Sequence, residues 1–184
     1  MSLAIVTTIG QKCKRCYSCV RECPAIAIKV VEGQAVVINE RCINCGHCVK
    51  VCSQNAKSVK SDVSIVLNEI LNSNKAIAMI APSFPASFPN NYSKVVSGLK
   101  LLGFKLVTEA AFGADLISNY YKDLYQNSDK QTIISSPCPA IYNLIEKYYE
   151  PLVNQLATIV SPMIAMGRYL KSNYGNDSKV VFIG

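Results

Sequence analysis

The chain has 184 residues, which is enough for one medium-sized or two small domains. Half of its residues are hydrophobic, so it can bury a sizeable core, but no run approaches the roughly 18 apolar residues of a membrane span. Its formal net charge is +7. No nucleic-acid recognition motif or interleaved stacking aromatics accompany this charge, so we do not expect a nucleic-acid partner.

Eight of the nine cysteines lie in the first third of the chain, in two runs that begin at Cys13 and Cys42. Each run reads C-x2-C-x2-C-x3-C, and the second repeats the first 29 residues later. The spacing is typical of bacterial ferredoxins with two 4Fe–4S clusters, where three close thiolates bind one cube and the fourth binds the other. The predicted ligand sets are Cys13, Cys16, Cys19 and Cys52 for the first cluster, and Cys42, Cys45, Cys48 and Cys23 for the second.

Disulfides and zinc are the alternative uses of these cysteines. The odd total, the tight spacing and the lack of a signal peptide in residues 1–10 argue against disulfides, and they favour a cytoplasmic location. Zinc could use eight thiolates in two four-cysteine sites. Zinc modules usually place two ligands in each of two distant pairs, however, so we favour iron–sulfur clusters.

The charges of this region fit the cluster assignment. Residues 1–62 hold nine Lys/Arg against four Asp/Glu, so most of the positive excess lies here. The positive charge of an oxidised cluster core is smaller than the negative charge of its four thiolates. Each bound cluster therefore adds a net charge of about −2 to the protein. We therefore interpret the basic residues as counter-charge and solvated surface. His47 is expected to be solvated or to donate to cluster sulfur rather than to bind metal.

The remaining residues predict two domains joined by a helix. Residues 25–31 and 34–38 predict a hairpin with its turn at Gly33. Asp62 is a candidate cap for a connecting helix over 63–75. The predicted fold is an α+β two-cluster ferredoxin-type domain over 1–62, followed by an α/β domain over 76–184 with a parallel sheet and helices on both faces.

The α/β part alternates strands and helices. Strands are predicted at 76–80, 105–108, 132–135 and 180–183, with a weaker one at 157–160. Helices are predicted from Tyr92 to Leu102, over 115–125, over 141–148, and from Pro162 onward. Sites in such sheets lie in the loops at the carboxyl ends of strands. Cys138, the ninth cysteine, is predicted to lie on such a loop, although a lone cysteine is most often a small buried hydrophobe.

Several short motifs make the whole chain resemble the iron-only (di-iron) hydrogenases, in particular the branch often called sensory. The motifs are Ile80-Ala81-Pro82, Ala114-Asp115-Leu116, Ser135-Ser136-Pro137-Cys138-Pro139 and Ser161-Pro162-Met163. In that family, four cysteines hold an active-site cluster that joins a 4Fe–4S cube to a di-iron unit. The resemblance implies that Cys138 is a ligand of this cube, and that Met163 and Met166 line its pocket.

The sequence departs from the family at the proton path. Pro137 stands where the family has a proton-transferring cysteine, and Tyr121, Leu124 and Ala157 replace its two glutamates and a serine. These residues cannot relay protons in the same way, which favours slow turnover and a sensing role. The other three active-site cysteines would lie beyond Gly184, so the di-iron cluster is expected only with that further part. The chain alone is not expected to turn over hydrogen.

Two functions therefore remain open. The first is the electron-entry part of an iron-only hydrogenase-like protein. In this role the chain would bind two 4Fe–4S clusters and exchange electrons with a redox protein as its partner. The alternative is a stand-alone ferredoxin-like electron carrier whose α/β half is a docking module. Cysteines in P-C-x-x-K and C-x-G-G-C contexts after Gly184 would favour the first.

Overall fold

A computed structural model of the chain describes residues 5–130 and 132–184. Its contacts divide the chain into two compact units. The first, the cluster unit, contains Met1–Ser61 and Ile134–Leu156. The second, the sheet unit, contains Asp62–Ile133 and Ala157–Gly184. Among the helices of the described residues, none combines the length and apolar character that crossing a membrane requires.

The cluster unit contains two small antiparallel sheets and two short helices. Strand β1 (Val6–Thr8) pairs with β4 (Lys57–Val59), and β2 (Ile28–Val31) pairs with β3 (Gln34–Val37). Helices α1 (Ser18–Arg21) and α2 (His47–Lys50) lie inside the two cysteine runs, and a 3-10 turn spans Gly10–Lys12. The β2–β3 pair is the predicted hairpin, whose turn residues Glu32 and Gly33 both have positive φ, the backbone geometry of a tight hairpin turn.

The backbone of this unit repeats with the same 29-residue offset as its cysteines. Positive φ angles occur at three pairs of equivalent positions: Arg15 and Asn44, Tyr17 and Gly46, Ile26 and Asn55. A non-glycine residue rarely adopts positive φ, and a β-branched one does so least readily. Three such pairs therefore show that each cysteine run has the same loop conformation.

A helix from the second half of the chain packs within the cluster unit. Helix α7 (Pro139–Tyr148) is followed by the 3-10 segment Glu150–Gln155. Its residue Leu144 packs against the buried cluster of Ala25, Ala27 and Ile43. An isolated parallel bridge joins Ile134 to Leu156 at the base of this segment.

The sheet unit is built on a parallel three-stranded sheet. Its strands are β5 (Ala76–Ile80), β6 (Leu106–Glu109) and β7 (Lys179–Ile183), in the order β6-β5-β7. Its helices are α4 (Phe84–Ser87), α5 (Tyr92–Leu101), α6 (Ala111–Asn127) and α8 (Pro162–Tyr174). All five residues of β5 are buried, as the continuous apolar run predicts for a central strand.

Each face of this sheet has its own apolar core. Ile77 and Met79 on one face of β5 pack with Met166 and Leu170 of α8. On the other face, Ala76, Ala78 and Phe104 pack with Leu99 of α5 and with residues of the helical segment that follows Asp62. The coarse prediction of mixed helices and strands with a parallel sheet is therefore confirmed.

The helical segment after Asp62 differs from the regular helix that the sequence predicts. It consists of helix α3 (Val63–Ile65), a π-helical turn (Val66–Ile70) and a 3-10 turn (Leu71–Ser73). Asp62 precedes it, but its side chain makes no capping hydrogen bond. Val66, Ile70 and Leu71 pack on the sheet, so burial of this apolar face holds the segment without a cap.

Two predicted strands of the α/β half are absent from the sheet. Residues 132–135 were expected as its third strand, but the described part of this stretch has only the bridge at Ile134. Residues 157–160, the weaker prediction, are not a strand. Both contain β-branched residues, but each lies at a point in the sequence where the chain passes from one unit to the other. The predicted boundaries 1–62, 63–75 and 76–184 stay a prediction.

Candidate iron–sulfur sites

The eight cysteines of the two runs line two separate cavities. The first cavity is lined by Cys13, Cys16, Cys19 and Cys52, together with Thr8, Ala35 and Lys57 among others. The second is lined by Cys42, Cys45, Cys48 and Cys23, together with Ile28 and Ile43 among others. Each measures about 350 Å³ when the open solvent at its mouth is included. In both, three cysteines come from one run and the fourth comes from the other.

Backbone N–H groups point at several of these sulfurs. Ala27 donates to Cys23 Sγ at 3.3 Å, and the equivalent Ala56 donates to Cys52 Sγ at 3.2 Å. Asn44, which has positive φ, donates to Cys42 Sγ at 3.4 Å. Hydrogen bonds to sulfur favour the thiolate form and raise the potential of a cluster that the sulfur binds. The donor set therefore fits an iron–sulfur cluster.

The walls of the two cavities meet in one apolar cluster. Buried Cys19 from the first set packs with Cys23 and Cys48 from the second, around Ile28 and Ala35. Two cubes bound in these cavities would consequently be neighbours, with cysteine side chains between them. Proximity of this kind is what electron transfer between two clusters needs.

The thiols differ in their ease of ionisation in the metal-free protein. Burial raises the pKa of Cys19 and of Cys48, while the positive charge of Lys57 acts against burial at both. The pKa of exposed Cys16 is lowered, first by a hydrogen bond from the Ser18 backbone. Metal binding deprotonates a coordinating thiol outright, so the buried thiols must release their protons when a cluster assembles.

Lys57 is a site residue that the sequence interpretation missed. It is buried, and its Nζ donates to Thr8 Oγ1 at 2.6 Å and to the Ala35 carbonyl oxygen at 3.1 Å. Lysine is rarely buried, so composition alone gives no reason to single it out. The repeat could have revealed it, because position 57 is equivalent to position 28. Ile28 lies in an apolar run of the first half, so the repeat predicts a buried position where the second half has a lysine.

Helix α7 contacts the loop that carries the second cysteine run. Lys147 Nζ donates to the carbonyl oxygens of Cys42 at 2.7 Å and Asn39 at 3.2 Å. The Tyr148 hydroxyl lies 2.8 Å from the carbonyl oxygen of Ala25 and 2.9 Å from that of Arg41. Tyr148 therefore links the segment that follows the first cysteine run to the segment that precedes the second run.

Cys138 is exposed and lies at the N-terminal cap of α7. The alternative of a small buried hydrophobe is therefore wrong. The predicted position at the carboxyl end of a sheet strand is also wrong, because the preceding residues form only the Ile134 bridge. Its role as a ligand stays a prediction. Met166 is buried in the sheet core, and Met163 is exposed at the start of α8.

The four proton-path replacements are distributed over both units. Tyr121 and Leu124 lie on α6, in the sheet unit, and buried Ala157 belongs to the same unit. Pro137 is exposed in the cluster unit, beside Cys138. His47 Nε2 lies 3.4 Å from Glu22 Oε2, so this histidine faces a carboxylate at the surface.

The fold and the cysteine cavities define an iron–sulfur protein of ferredoxin type. Residues 5–53, which include both cysteine runs, match the model of the 4Fe-4S dicluster domain. Residues 74–184 match the model of the iron only hydrogenase large subunit, C-terminal domain. Since this second match covers more than half of the chain, the protein belongs to the iron-only hydrogenase large-subunit family, as the resemblance predicts.

A curated relative shares part of this sequence. Iron hydrogenase 1 of Clostridium pasteurianum is 31% identical over 123 residues, which cover 58% of this chain and 21% of the hydrogenase. The chain thus spans about a fifth of the length of this relative. The comparison supports an electron-transfer protein of hydrogenase type that contains iron–sulfur clusters.

Proposed function

We propose that the chain is the electron-entry part of an iron-only hydrogenase-like protein and binds two 4Fe–4S clusters. The observation that carries the proposal is the pair of cavities, each lined by four cysteines that combine three from one run with one from the other. Three thiolates in one tight loop and a fourth from elsewhere suit the corners of a cube. The proposed ligand sets are those of the two cavities.

Electrons would reach the protein through an exposed cluster ligand and pass between the neighbouring cubes. Each set includes one exposed cysteine, Cys16 in the first and Cys45 in the second. A redox protein that docks near either residue can exchange electrons with that cluster. We propose such a protein as the partner, in a cytoplasmic and oxygen-poor environment where the clusters persist.

Cys138 would then be a ligand of the active-site cube, with the di-iron unit supplied only when the other cluster cysteines are present. Its exposure and its position at the N-terminal cap of α7, a helix whose other end contacts the second cysteine run, support this role. Pro137 in place of a proton-transferring cysteine supports sensing rather than fast turnover. The chain by itself would carry electrons and leave hydrogen unchanged.

Anaerobic reconstitution of the full chain tests this function. We expect about eight irons and eight sulfides per chain, since each cube takes four cysteines. Cys19→Ala should lower the iron content by about half, because it removes one ligand from the first set only. Cys138→Ala, the matched control, should retain all of it. A colourless protein with stoichiometric zinc would contradict the proposal.

A further inference from the structure

Lys57 places a positive charge in the interior of the cluster unit. It is the first residue of β4, pairs with Thr8 of β1, and is only 7% exposed. Its ammonium lies beside the Thr8 hydroxyl and the Ala35 carbonyl oxygen, and Thr8 itself donates to that same oxygen. Both acceptors line the first cysteine cavity, as Lys57 does.

This ammonium has no carboxylate partner among the residues that the structure describes. The two ion pairs found there are His47–Glu22 and Lys75–Asp177, both at the surface. Burial of an unpaired charge costs several kcal/mol as an order of magnitude, and two neutral acceptors offset only part of that cost. The position therefore indicates an anionic group inside the first cavity.

The repeat makes this charge asymmetric between the two cavities. Position 57 is equivalent to position 28, and Ile28 lines the second cavity as Lys57 lines the first. Ile28 is buried to a similar degree but is apolar. The two halves thus present the same loops and cysteine spacing but differ in one buried charge.

We propose that the Lys57 ammonium is the built-in counter-charge of the cluster bound by Cys13, Cys16, Cys19 and Cys52, and makes that cluster the easier of the two to reduce. This inference rests on the proposed function, because it requires both clusters. One-electron reduction, with the electron taken from the redox partner, adds one negative charge to a cluster. A positive charge in a low-dielectric interior stabilises that added charge more than surface charges do.

The direction of electron flow follows from this asymmetry. The first electron from the partner rests on the Lys57 cluster, and the second cluster is reduced at a more negative potential. The charge also acts at Cys48 of the second set, so Lys57 raises both potentials. Because Lys57 lines the first cavity and not the second, it raises the potential of the first cluster more. Ile28 supplies no comparable charge to the second cluster.

The test is a redox titration of the reconstituted full chain, followed by electron paramagnetic resonance with dithionite as the reductant. In Lys57→Met, which removes the charge but keeps a side chain of similar length, the reduction equilibrium of the first cluster should fall at least tenfold. For a one-electron couple this is a shift of about 59 mV to more negative potential. The second cluster should shift less. Cys16→Ser, which alters the first ligand set alone, assigns the signals.

Two further variants distinguish the effect of a buried positive charge from the effect of a positive charge at the surface. Lys57→Arg keeps the charge and should keep most of the difference between the two potentials. Lys60→Met removes an exposed lysine near the end of the same strand, and its effect should be less than about twofold and vanish at high salt, because surface charges are screened. The Lys57→Met shift should persist at high salt.

The failures are distinguishable. If the wild-type chain binds zinc or no metal, the proposed function fails, and this inference fails with it. If both clusters assemble but Lys57→Met leaves the difference between their potentials unchanged, or Lys60→Met has the same effect, this inference alone is overturned. If Lys57→Met loses iron, Lys57→Gln replaces it in the titration. If Lys57→Met and Lys57→Gln both lose only the first cluster while Lys57→Arg retains it, the counter-charge proposal is supported. If all three variants lose both clusters, the proposal is overturned.

Discussion

The two units of this protein bury different kinds of residues. In the cluster unit, several of the buried positions are small, as at Ala25, Ala27, Ala35 and Ala56, and its strands have three or four residues. In the sheet unit, a fully buried five-residue strand packs between two apolar layers that include Phe104, Met79 and Leu170. Burial of large apolar side chains is the main driving force of folding. The sheet unit concentrates this burial on one central strand, whereas the cluster unit distributes it over short strands around two cysteine-lined cavities.

This difference indicates that the units fold for different reasons. A small domain with a thin core needs disulfides, metal or partners to be stable. All nine cysteines are free thiols in the structure. We therefore expect iron–sulfur clusters to supply the missing stabilisation of the cluster unit, and apolar packing to supply that of the sheet unit.

Removal of the metal should have the largest effect and should separate the units. Anaerobic chelation should unfold the cluster unit, because binding free energy of the metal is folding free energy in such domains. Hydrogen exchange measured by mass spectrometry should then show lost protection in residues 5–61 and 134–156, including α7. Peptides that cover β5 should stay protected. Equal loss in both units, or none in either, would contradict the comparison.

A packing change should produce the opposite pattern. A Cβ at Gly113 of α6 would overlap the carbonyl oxygen of Pro162 and lie 2.9 Å from Met166 Cβ, so α6 and α8 could not keep their spacing. Gly113→Ala should destabilise the sheet unit by roughly 1–3 kcal/mol while the iron content stays unchanged.

Urea unfolding followed by hydrogen exchange would measure the effect of Gly113→Ala. Gly167→Ala in α8 is the matched control, because a Cβ there meets nothing within 4 Å. It should be neutral or stabilising, since alanine is the better helix former. Similar losses in both variants would show that helix packing does not decide the stability of this unit.

Cys138 should matter for chemical reactivity and not for the stability of the fold. Because this thiol is exposed and outside the two predicted ligand sets, it should be alkylated in the native protein while the eight other cysteines stay protected by metal. Cys138→Ala should change the free energy of unfolding by no more than about 0.5 kcal/mol, as for most exposed positions. Mass mapping of the alkylated peptide checks this. If no thiol of the native protein reacts, Cys138 is not accessible, and its proposed role as a ligand of the active-site cube is contradicted.

The smallest effect is expected at the exposed Lys75–Asp177 pair of the sheet unit. The Lys75 side chain donates a hydrogen bond to Asp177 and, together with its charge, holds the pKa of that carboxyl below its ordinary value. A lowered folded-state pKa contributes stability above the unfolded pKa and loses it as the pH falls through the folded one. Asp177→Asn should thus be slightly less stable near neutral pH, and the difference should disappear in acid once the pH falls below the folded-state pKa of Asp177.

Thermal unfolding of the metal-free chain, followed by circular dichroism, would measure this difference, because acid releases iron from clusters. High salt should also remove it, since the pair is exposed. A difference that persists in acid and salt would mean that Asp177 acts through something other than Lys75.

Much of the local structure could be predicted from the sequence. The buried run at Ala76–Ile80 is a parallel strand, and the apolar spacing from Tyr92 marks α5 within one or two residues. The Glu32–Gly33 turn joins a hairpin, as predicted. These predictions hold because each depends on short-range periodicity or on backbone freedom at one position. The family could also be predicted, because its motifs are contiguous in the chain.

The predictions that failed depend on contacts between distant segments. Residues 132–135 have the composition of a strand, but whether such a run joins a sheet depends on which edge is open to it. Cys138 was expected after a sheet strand and lies instead at the start of α7. Helix α7 packs beside the second cysteine run through Leu144, Lys147 and Tyr148. No local sequence pattern predicts that this helix packs beside the second cysteine run.

The sequence by itself determined the chemistry of this protein, because eight thiolates at this spacing and the hydrogenase motifs can be read without coordinates. Only the tertiary structure decided which groups surround that chemistry. It buried Lys57 where the repeat has Ile28, and it brought Cys19, Cys23 and Cys48 around Ala35. The physical reason is that ligand identity is a property of single residues, whereas burial and electrostatic environment arise from segments that meet only when the chain folds.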